Sequence, residues 1–235
     1  LMQLAQANSS HSRHWEFSGK FIINGNVMDK TLFEMVKETL KNNPLGSVKS
    51  FKDNGGILAG GFTDILVFDQ DGLYKSIFVK INHTATAETH NHPTLVSPYP
   101  GAATGVGGRM RDISAIGRGS LIGFGGVYFQ TGKLWLDKPV EWLYPKNMAN
   151  PISVLTGAIQ GASGWGNPFG EPTLLFGNDS LGIDLLNSER FETIKPNIYT
   201  CAVGLIPADA KDKSESSPGM IIVRIGGPTW RIGVG

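Results

Sequence analysis

Apolar and polar positions along this chain follow two periods, and the switches between them set the expected order of elements. In K-T-L-F-E-M-V-K-E-T-L-K-N, residues 30 to 42, Leu32, Phe33, Val36 and Leu40 fall on one helical face, which predicts a helix. Asp29 or Thr31 can cap its start, and Pro44 follows its end. Apolar or alternating runs at 57–68, 77–82 and 121–129 predict strands, as do those at 172–176, 198–206, 219–225 and 230–234. Met148 to Gly161 predicts another helix, with Asn150 as cap, Pro151 in the first helical position, and Leu155 and Ile159 facing the core. A helix is also expected from Leu1 towards His11. Lys211 to Pro218, K-D-K-S-E-S-S-P, is charged, Ser-rich and free of large apolar residues, which reads as a linker. Residues 69–86 carry no motif. The alternation of elements implies an α+β or mixed α/β domain.

Composition narrows the class. Hydrophobic residues are 40% and charged residues 17%, a globular balance, and 235 residues can bury a substantial core in one or two domains. A net charge of +1 gives no basic field, so no nucleic-acid partner is expected. The single cysteine, Cys201, excludes an internal disulfide, fits a reducing compartment such as the cytoplasm, and reads as a small core residue. No apolar run reaches the ~20 residues of a membrane span, and no signal peptide opens the sequence, so no membrane partner is expected. Glycine, 31 of 235, is about twice its average usage, and much of the surplus surrounds one stretch.

That stretch runs from Thr86 to Gly119: T-A-E-T-H-N-H-P-T-L-V-S-P-Y-P-G-A-A-T-G-V-G-G-R-M-R-D-I-S-A-I-G-R-G. If residues 88–92 are extended, Glu88, His90 and His92 share one face, and Pro93 then blocks helix continuation. A Gly-rich loop from Gly101 to Gly108 would let backbone N–H groups approach a phosphate, although no G-K-[ST] follows as in a Walker A motif. Arg109 and Arg111 would neutralise the anion, and acidic groups would hold Mg²⁺ through hard oxygen ligands. His90 titrates in the range suited to proton transfer. Spacing alone also allows bland roles: a surface carboxylate for Glu88, a helix cap for Asp112, a packed side chain for His90. A zinc pair at His90 and His92 would need two more ligands, which His14 and His83 are not spaced to give. The inventory is that of a nucleotide-phosphate site.

These residues also resemble a family. T-A-E-T-H-N-H-P, P-G-A-A-T-G-V-G-G-R-M-R-D and G-R-G are similar to the phosphoribosylformylglycinamidine synthases of purine biosynthesis, and three further motifs match in order: Q-A-N-S-S-H-S-R-H-W-E-F (Gln6 to Phe17), G-A-S-G-W-G-N-P-F-G-E-P (Gly161 to Pro172) and G-G-P-T-W-R-I-G-V-G (Gly226 to Gly235). The resemblance implies a fold like that of aminoimidazole ribonucleotide synthetase, an antiparallel-rich sheet backed by helices, in which two such sheets pair into a barrel. It implies three parts: 1–50 with His11, 51–210 as the ATP-binding domain, and 211–235 as a linker and the first strands of a truncated C-terminal domain. A fragment of a longer synthase is therefore expected.

By the same resemblance His90 is the catalytic base and His11 a second essential histidine. Glu88 and Asp112 are Mg²⁺ ligands. The ATP-binding segment is Gly101, Ala102, Ala103, Thr104, Gly105, Val106, Gly107, Gly108, Arg109, Met110, Arg111 and Asp112. Thr89, His90, Asn91, His92 and Pro93 line the substrate, and Arg111 meets its phosphate. The implied reaction turns formylglycinamide ribonucleotide, ATP and ammonia into formylglycinamidine ribonucleotide through an iminophosphate, the ammonia coming from a glutaminase domain or subunit not in this chain. Two departures stand out. The family's S-E-H is Ser9-Ser10-His11 here, and the large eukaryotic-type relatives carry phenylalanine where this chain has His92. Rival readings are another ATP-using enzyme of the superfamily, which the motif order disfavours, and a non-catalytic nucleotide-binding domain, which Ser10 favours.

Overall fold

The computed structural model describes residues 20–134, 148–186 and 189–227. The expected helix before His11, His11 itself and the expected strand at 230–234 lie outside the described residues. The chain divides into two compact units, one within residues 1–45 and 215–235, the other Gly46–Ser214.

In the first unit, β1 (Ile22–Ile23) and β2 (Asn26–Val27) form a hairpin across Asn24 and Gly25, both at positive φ, as its tight turn requires. Helix α1 (Leu32–Asn42) starts at a capping box: the Thr31 hydroxyl accepts from the Glu34 N–H, and the Glu34 carboxylate accepts from the Thr31 N–H. The expected strand at 219–225 is absent. Ile221, Ile222, Val223 and Ile225 are exposed, and alternation becomes a strand only when a neighbour supplies the ladder, which no described residue does here.

The second unit is built on one sheet. Its strands are β3 (Ser47–Lys49), β4 (Gly56–Leu58), β5 (Phe62–Phe68), β6 (Tyr74–Thr89), β7 (Leu121–Thr131), β8 (Thr173–Ser180) and, after the separate hairpin of β9 (Gly182–Asp184) and β10 (Arg190–Glu192), β11 (Asn197–Pro207). The order is β3-β4-β6-β11-β7-β8, with β5 paired to the first half of β6; every pairing is antiparallel except β7 with β8. The run expected as one strand at 57–68 breaks into β4 and β5. Gly60 lies against the Ile81 backbone, an approach that any Cβ would obstruct, and the chain passes there from one half of β6 to the other.

Helices α2 (Asn91–Val96), α3 (Pro98–Ser114) and α4 (Pro151–Gly166) belong to this unit. The cap expected for α4 is present: Asn150 Oδ1 accepts from the Ser153 N–H at 2.8 Å, and Pro151 follows it. Alternation on β11 buries Ile198, Thr200, Ala202 and Ile206 while Tyr199 and Leu205 stay exposed on the other face. The buried side meets Ala102 and Val106 of α3, Ala158 and Ala162 of α4, and Val127 and Phe129 of β7. A second patch joins Ile57, Ile113, Ile116, Ala202 and Ile206. Each large side chain so buried contributes on the order of 1.5–3 kcal/mol. The result is the mixed α/β arrangement expected, a mostly antiparallel sheet backed by helices.

A further expectation fails at the glycine-rich stretch. Gly101 to Gly108 is not a loop but the middle of α3. Its interior N–H groups bond carbonyls four residues back, so they cannot cradle a phosphate. Glycines cost roughly 1 kcal/mol each in a helix interior, and close packing offsets that cost here. Gly101 admits the Pro93–Thr94 backbone and Gly107 the Trp165 indole.

Candidate active site

The site begins where β6 ends. Its ladder with β11 continues one residue past the strand, the His90 N–H donating to the Ile198 carbonyl at 3.1 Å. The Asn91 side chain then stands in for backbone: its Oδ1 accepts from the Ile198 N–H at 2.7 Å. The Thr94 hydroxyl donates to the His90 carbonyl at 2.6 Å. The chain thereby turns from strand to helix, so Glu88, His90 and His92 do not share an extended face, contrary to expectation. His92 lies exposed in the first turn of α2. Pro93 does not block that helix either, because first-turn N–H groups need no intrahelical partner.

His90 packs on α3 at Gly105, where a Cβ would come within 2.7 Å of its own Cβ and 3.0 Å of Cγ. Glycine at 105 is thus what lets the imidazole lie against the helix. His90 is half-buried, and burial pushes its pKa below the ordinary histidine value. The Gly101 carbonyl opposes that shift more weakly, and no hydrogen bond reaches the buried Nδ1 from any described residue.

Gly105 and Asp112 are seven residues apart, close to two turns, so they share a stripe of α3. Asp112 is 7% exposed. Its Oδ1 accepts from Arg111 Nε at 3.1 Å and from Asn54 Nδ2 at 3.4 Å. Arg111 itself projects outward, its side chain 75% exposed. Glu88 is exposed and stands opposite Thr200 in register, on the side of the sheet that the helices cover. Thr89 is exposed at the same strand end.

The rest of the expected ATP segment is placed differently. Ala102, Ala103 and Val106 are core residues, Gly108 and Met110 are half-buried, and Thr104 is exposed with its hydroxyl donating to the Pro100 carbonyl. Arg109 is a correction. It is fully buried, its guanidinium paired through both terminal nitrogens with Glu171, itself 1% exposed, in space left by Gly125 of β7. A guanidinium sealed in that way holds α3 to the start of β8 and neutralises no ligand.

Several residues had no assigned role in the sequence. Asp53 is gripped by Lys49, Lys213 and two backbone N–H groups; burial alone would raise its pKa, but these partners hold it well below the usual carboxylate range. Glu171 lies inside G-N-P-F-G-E-P, where only its motif could have signalled it. The Thr200 hydroxyl is buried opposite Glu88 with no hydrogen-bond partner among the described residues. Its strand context gave no signal.

As a Mg²⁺ donor set, Glu88 and Asp112 fit in kind. They are hard oxygen ligands, and Mg²⁺ in nucleotide sites takes one or two carboxylates with phosphates and waters completing the shell. No group of three or more His, Cys, Asp or Glu among the described residues is placed to hold a metal alone. No helix among them is long and apolar enough to cross a membrane.

No family model matches the chain. By sequence it is 43% identical over 244 residues to the phosphoribosylformylglycinamidine synthase of Dictyostelium discoideum, covering 99% of this chain and 18% of that protein. Identity is 40% over 246 residues to the probable phosphoribosylformylglycinamidine synthase, chloroplastic/mitochondrial, of Arabidopsis thaliana, covering 100% of this chain and 17% of that protein. It is 38% over 250 residues to the Homo sapiens synthase, covering 99% and 18%. The chain thus spans 17–18% of the length of these curated relatives. Among solved structures, T. maritima PurL complexed with ADP aligns at 20% identity and TM-score 0.42, over 74% of this chain and 22% of that one.

Proposed function

We propose a function for this chain from its membership, by sequence over its whole length, of the phosphoribosylformylglycinamidine synthase family. In our reading the parent protein converts formylglycinamide ribonucleotide, ATP and ammonia into formylglycinamidine ribonucleotide, ADP and phosphate. The observation that carries this is sequence identity of 38–43% over 99–100% of the chain with three synthases. The amide oxygen of the substrate attacks the γ-phosphorus of ATP, forming an O–P bond and releasing ADP. Ammonia then adds to the same carbon, a C–N bond forms, and the C–O bond breaks with phosphate as leaving group.

His90 supports this chemistry because burial favours its neutral form near pH 7, as a base requires. His11 would be the second essential histidine. Glu88 and Asp112 would hold Mg²⁺, which when bound offsets charge on the phosphates. Arg111 would meet the ribonucleotide phosphate with its exposed guanidinium. Thr89 and His92 are exposed at the strand-to-helix corner and would line the substrate, whereas Asn91 and Pro93 shape that corner. ATP contacts would fall to members of the α3 segment that are not fully buried, Thr104 and Arg111 foremost. Ammonia would come from a glutaminase domain or subunit outside this chain, and the lone Cys201 supports a reducing compartment, the cytosol.

The test is direct. The full-length parent, given formylglycinamide ribonucleotide, Mg·ATP and either glutamine or ammonium, should release ADP and form the amidine. His90→Asn should lower turnover by roughly 10²–10⁴-fold with substrate affinity little changed. Absence of amidine under both nitrogen sources would sink the proposal.

A further inference from the structure

We infer that Asp53 is a positioning residue: it holds Asn54 against Asp112 on one side and clamps the chain at Lys213 on the other, so that α3's acidic end and the segment 209–213 are fixed through one carboxylate. The metal half of this inference rests on the reading of Asp112 as a Mg²⁺ ligand.

The geometry is unusually closed for a turn between two short strands. The Asp53 side chain is 1% exposed. Oδ1 accepts from the Asn54 N–H at 2.8 Å and from Lys213 Nζ at 2.8 Å. Oδ2 accepts from the Gly117 N–H at 3.0 Å and Lys49 Nζ at 3.2 Å. Both oxygens are therefore doubly engaged, each by one backbone N–H and one ammonium. The backbone bonds fix the turn before β4 against the loop that follows α3. Asn54 is the next residue, and its carboxamide reaches Asp112, so its direction is set by the turn that Asp53 holds.

The two lysines carry the second half. Lys213 Nζ also donates to the Ala115 carbonyl, where α3 ends and its dipole favours a cation. Lys49 Nζ also donates to the Lys211 carbonyl at 3.1 Å and pairs with Asp212 at 3.4 Å. Arg118 adds a further tie, its N–H to the Ala210 carbonyl at 2.9 Å and its guanidinium to the Asp209 carbonyl at 2.7 Å. The charged, Ser-rich stretch expected as a linker from Lys211 onward is thus riveted at its first three residues. Without Asp53, Lys49 and Lys213 would lose their shared anion, and Asn54 would lose the turn that aims it.

The experiment uses the full-length parent, its Asp53→Asn and Asp53→Glu variants, and Lys213→Met, which removes one leg and leaves the turn intact. Binding of Mn²⁺ in the presence of ADP, read by the EPR signal of free Mn²⁺, reports the metal side without turnover. Native-state trypsin cleavage after Lys211 and Lys213, mapped by mass spectrometry, reports the clamp. Asp53→Asn should weaken Mn²⁺ binding by about 10-fold, the lower end of what partners behind a metal ligand cost, and should speed cleavage at both lysines. The Mg²⁺ requirement of turnover should rise by the same factor, with kcat at saturating Mg²⁺ within about twofold. Asp53→Glu should restore part of both effects, and Lys213→Met should speed cleavage at Lys211 while leaving Mn²⁺ binding near wild type. Faster cleavage with unchanged Mn²⁺ binding would overturn the positioning role, and unchanged cleavage would overturn the clamp. A parent that binds Mn²⁺ as described but makes no amidine would refute the proposed reaction and leave this inference standing.

Discussion

Two buried carboxylates, Glu171 and Asp53, fasten parts of the same unit, one to helix α3 and the other to the loop that follows it, and they do so by different physics. Glu171 faces Arg109 with both side chains sealed, 1% and 0% exposed, so the pair is removed from water altogether. Asp53 is equally buried, but of its two lysines Lys213 is 53% exposed and keeps its ammonium near solvent, while Lys49 is 15% exposed. A sealed pair gains strong mutual attraction in low dielectric and must repay the desolvation of both ions, a balance that tips badly when one partner is lost. The Asp53 cluster keeps one of its two counter-ions in contact with water, so its bond to Lys213 is weaker and can open. The first arrangement suits a fixed brace between α3 and β8. The second suits a joint where chain segments of distant sequence meet.

The largest effect should come from breaking the brace. Glu171→Ala leaves the Arg109 guanidinium buried and uncompensated, with Nε already lacking a hydrogen-bond partner among the described residues. It should destabilise the unit by about 3–5 kcal/mol in denaturant unfolding of the full-length parent, provided the transition of this unit is resolved. Replacing both residues together with apolar side chains of similar volume should recover much of that loss. If Glu171→Ala costs under about 1 kcal/mol, the pair is not the brace described.

Asp53→Asn should cost less, about 1–3 kcal/mol, as expected for hydrogen bonds to a charged group. The contrast sharpens with salt and with acid. Added salt should shrink the Asp53 contribution and leave the Glu171 contribution nearly unchanged, because only the first has a solvent-reaching counter-ion. For acid the sign follows from the depressed pKa. The folded value lies below the reference of 3.8, so Asp53's contribution is full above that pH and is lost as pH falls below it. Wild type should therefore lose stability below about pH 4 more steeply than Asp53→Asn, measured by acid titration at fixed denaturant. Parallel curves would show that Asp53 is not held by charge.

What could be read from the sequence tracks how local each cause is. Helix α4 announced itself through Asn150 and Pro151, and β7 and β11 through alternation, because caps and pleats are set by adjacent residues. Helix α3 was hidden because glycine favours loops in isolation, whereas here Gly101, Gly105 and Gly107 stand where Pro93, His90 and Trp165 press on the helix. The same blindness merged Arg109 with Arg111. Two positions apart on a helix they point in different directions, one to Glu171 and one to solvent, a distinction that disappears when the stretch is taken for a loop. At the candidate site, Glu88 and Asp112 stand inside the motif-rich stretch that draws attention in the sequence, but Asp53 does not. Its partner Lys213 lies 160 residues away, and no period or motif connects them.

His90 extends the comparison to a third polar group, half-buried, whose shift is dominated by burial. Burial disfavours its imidazolium, so its folded pKa lies below the histidine reference of 6.5. In the unfolded chain the ring takes up its proton as pH falls through about 6.5, while in the folded chain it does so only at lower pH. Between those values the unfolded state binds more protons, and stability must decline with falling pH. The slope can be no steeper than about 1.4 kcal/mol per pH unit for a single proton, and a ring only half-buried should give the smallest of the three effects. His90→Asn should remove it. A two-dimensional experiment, denaturant midpoint against pH from 7.5 to 5 in both proteins, isolates the histidine from the carboxylates, which titrate lower. Wild type should lose stability over this range relative to the variant. A difference that is flat with pH would mean that folding leaves the His90 pKa unchanged, and one that grows in favour of wild type as pH falls would mean that an anion stabilises the imidazolium, with His90 then poised as an acid rather than a base.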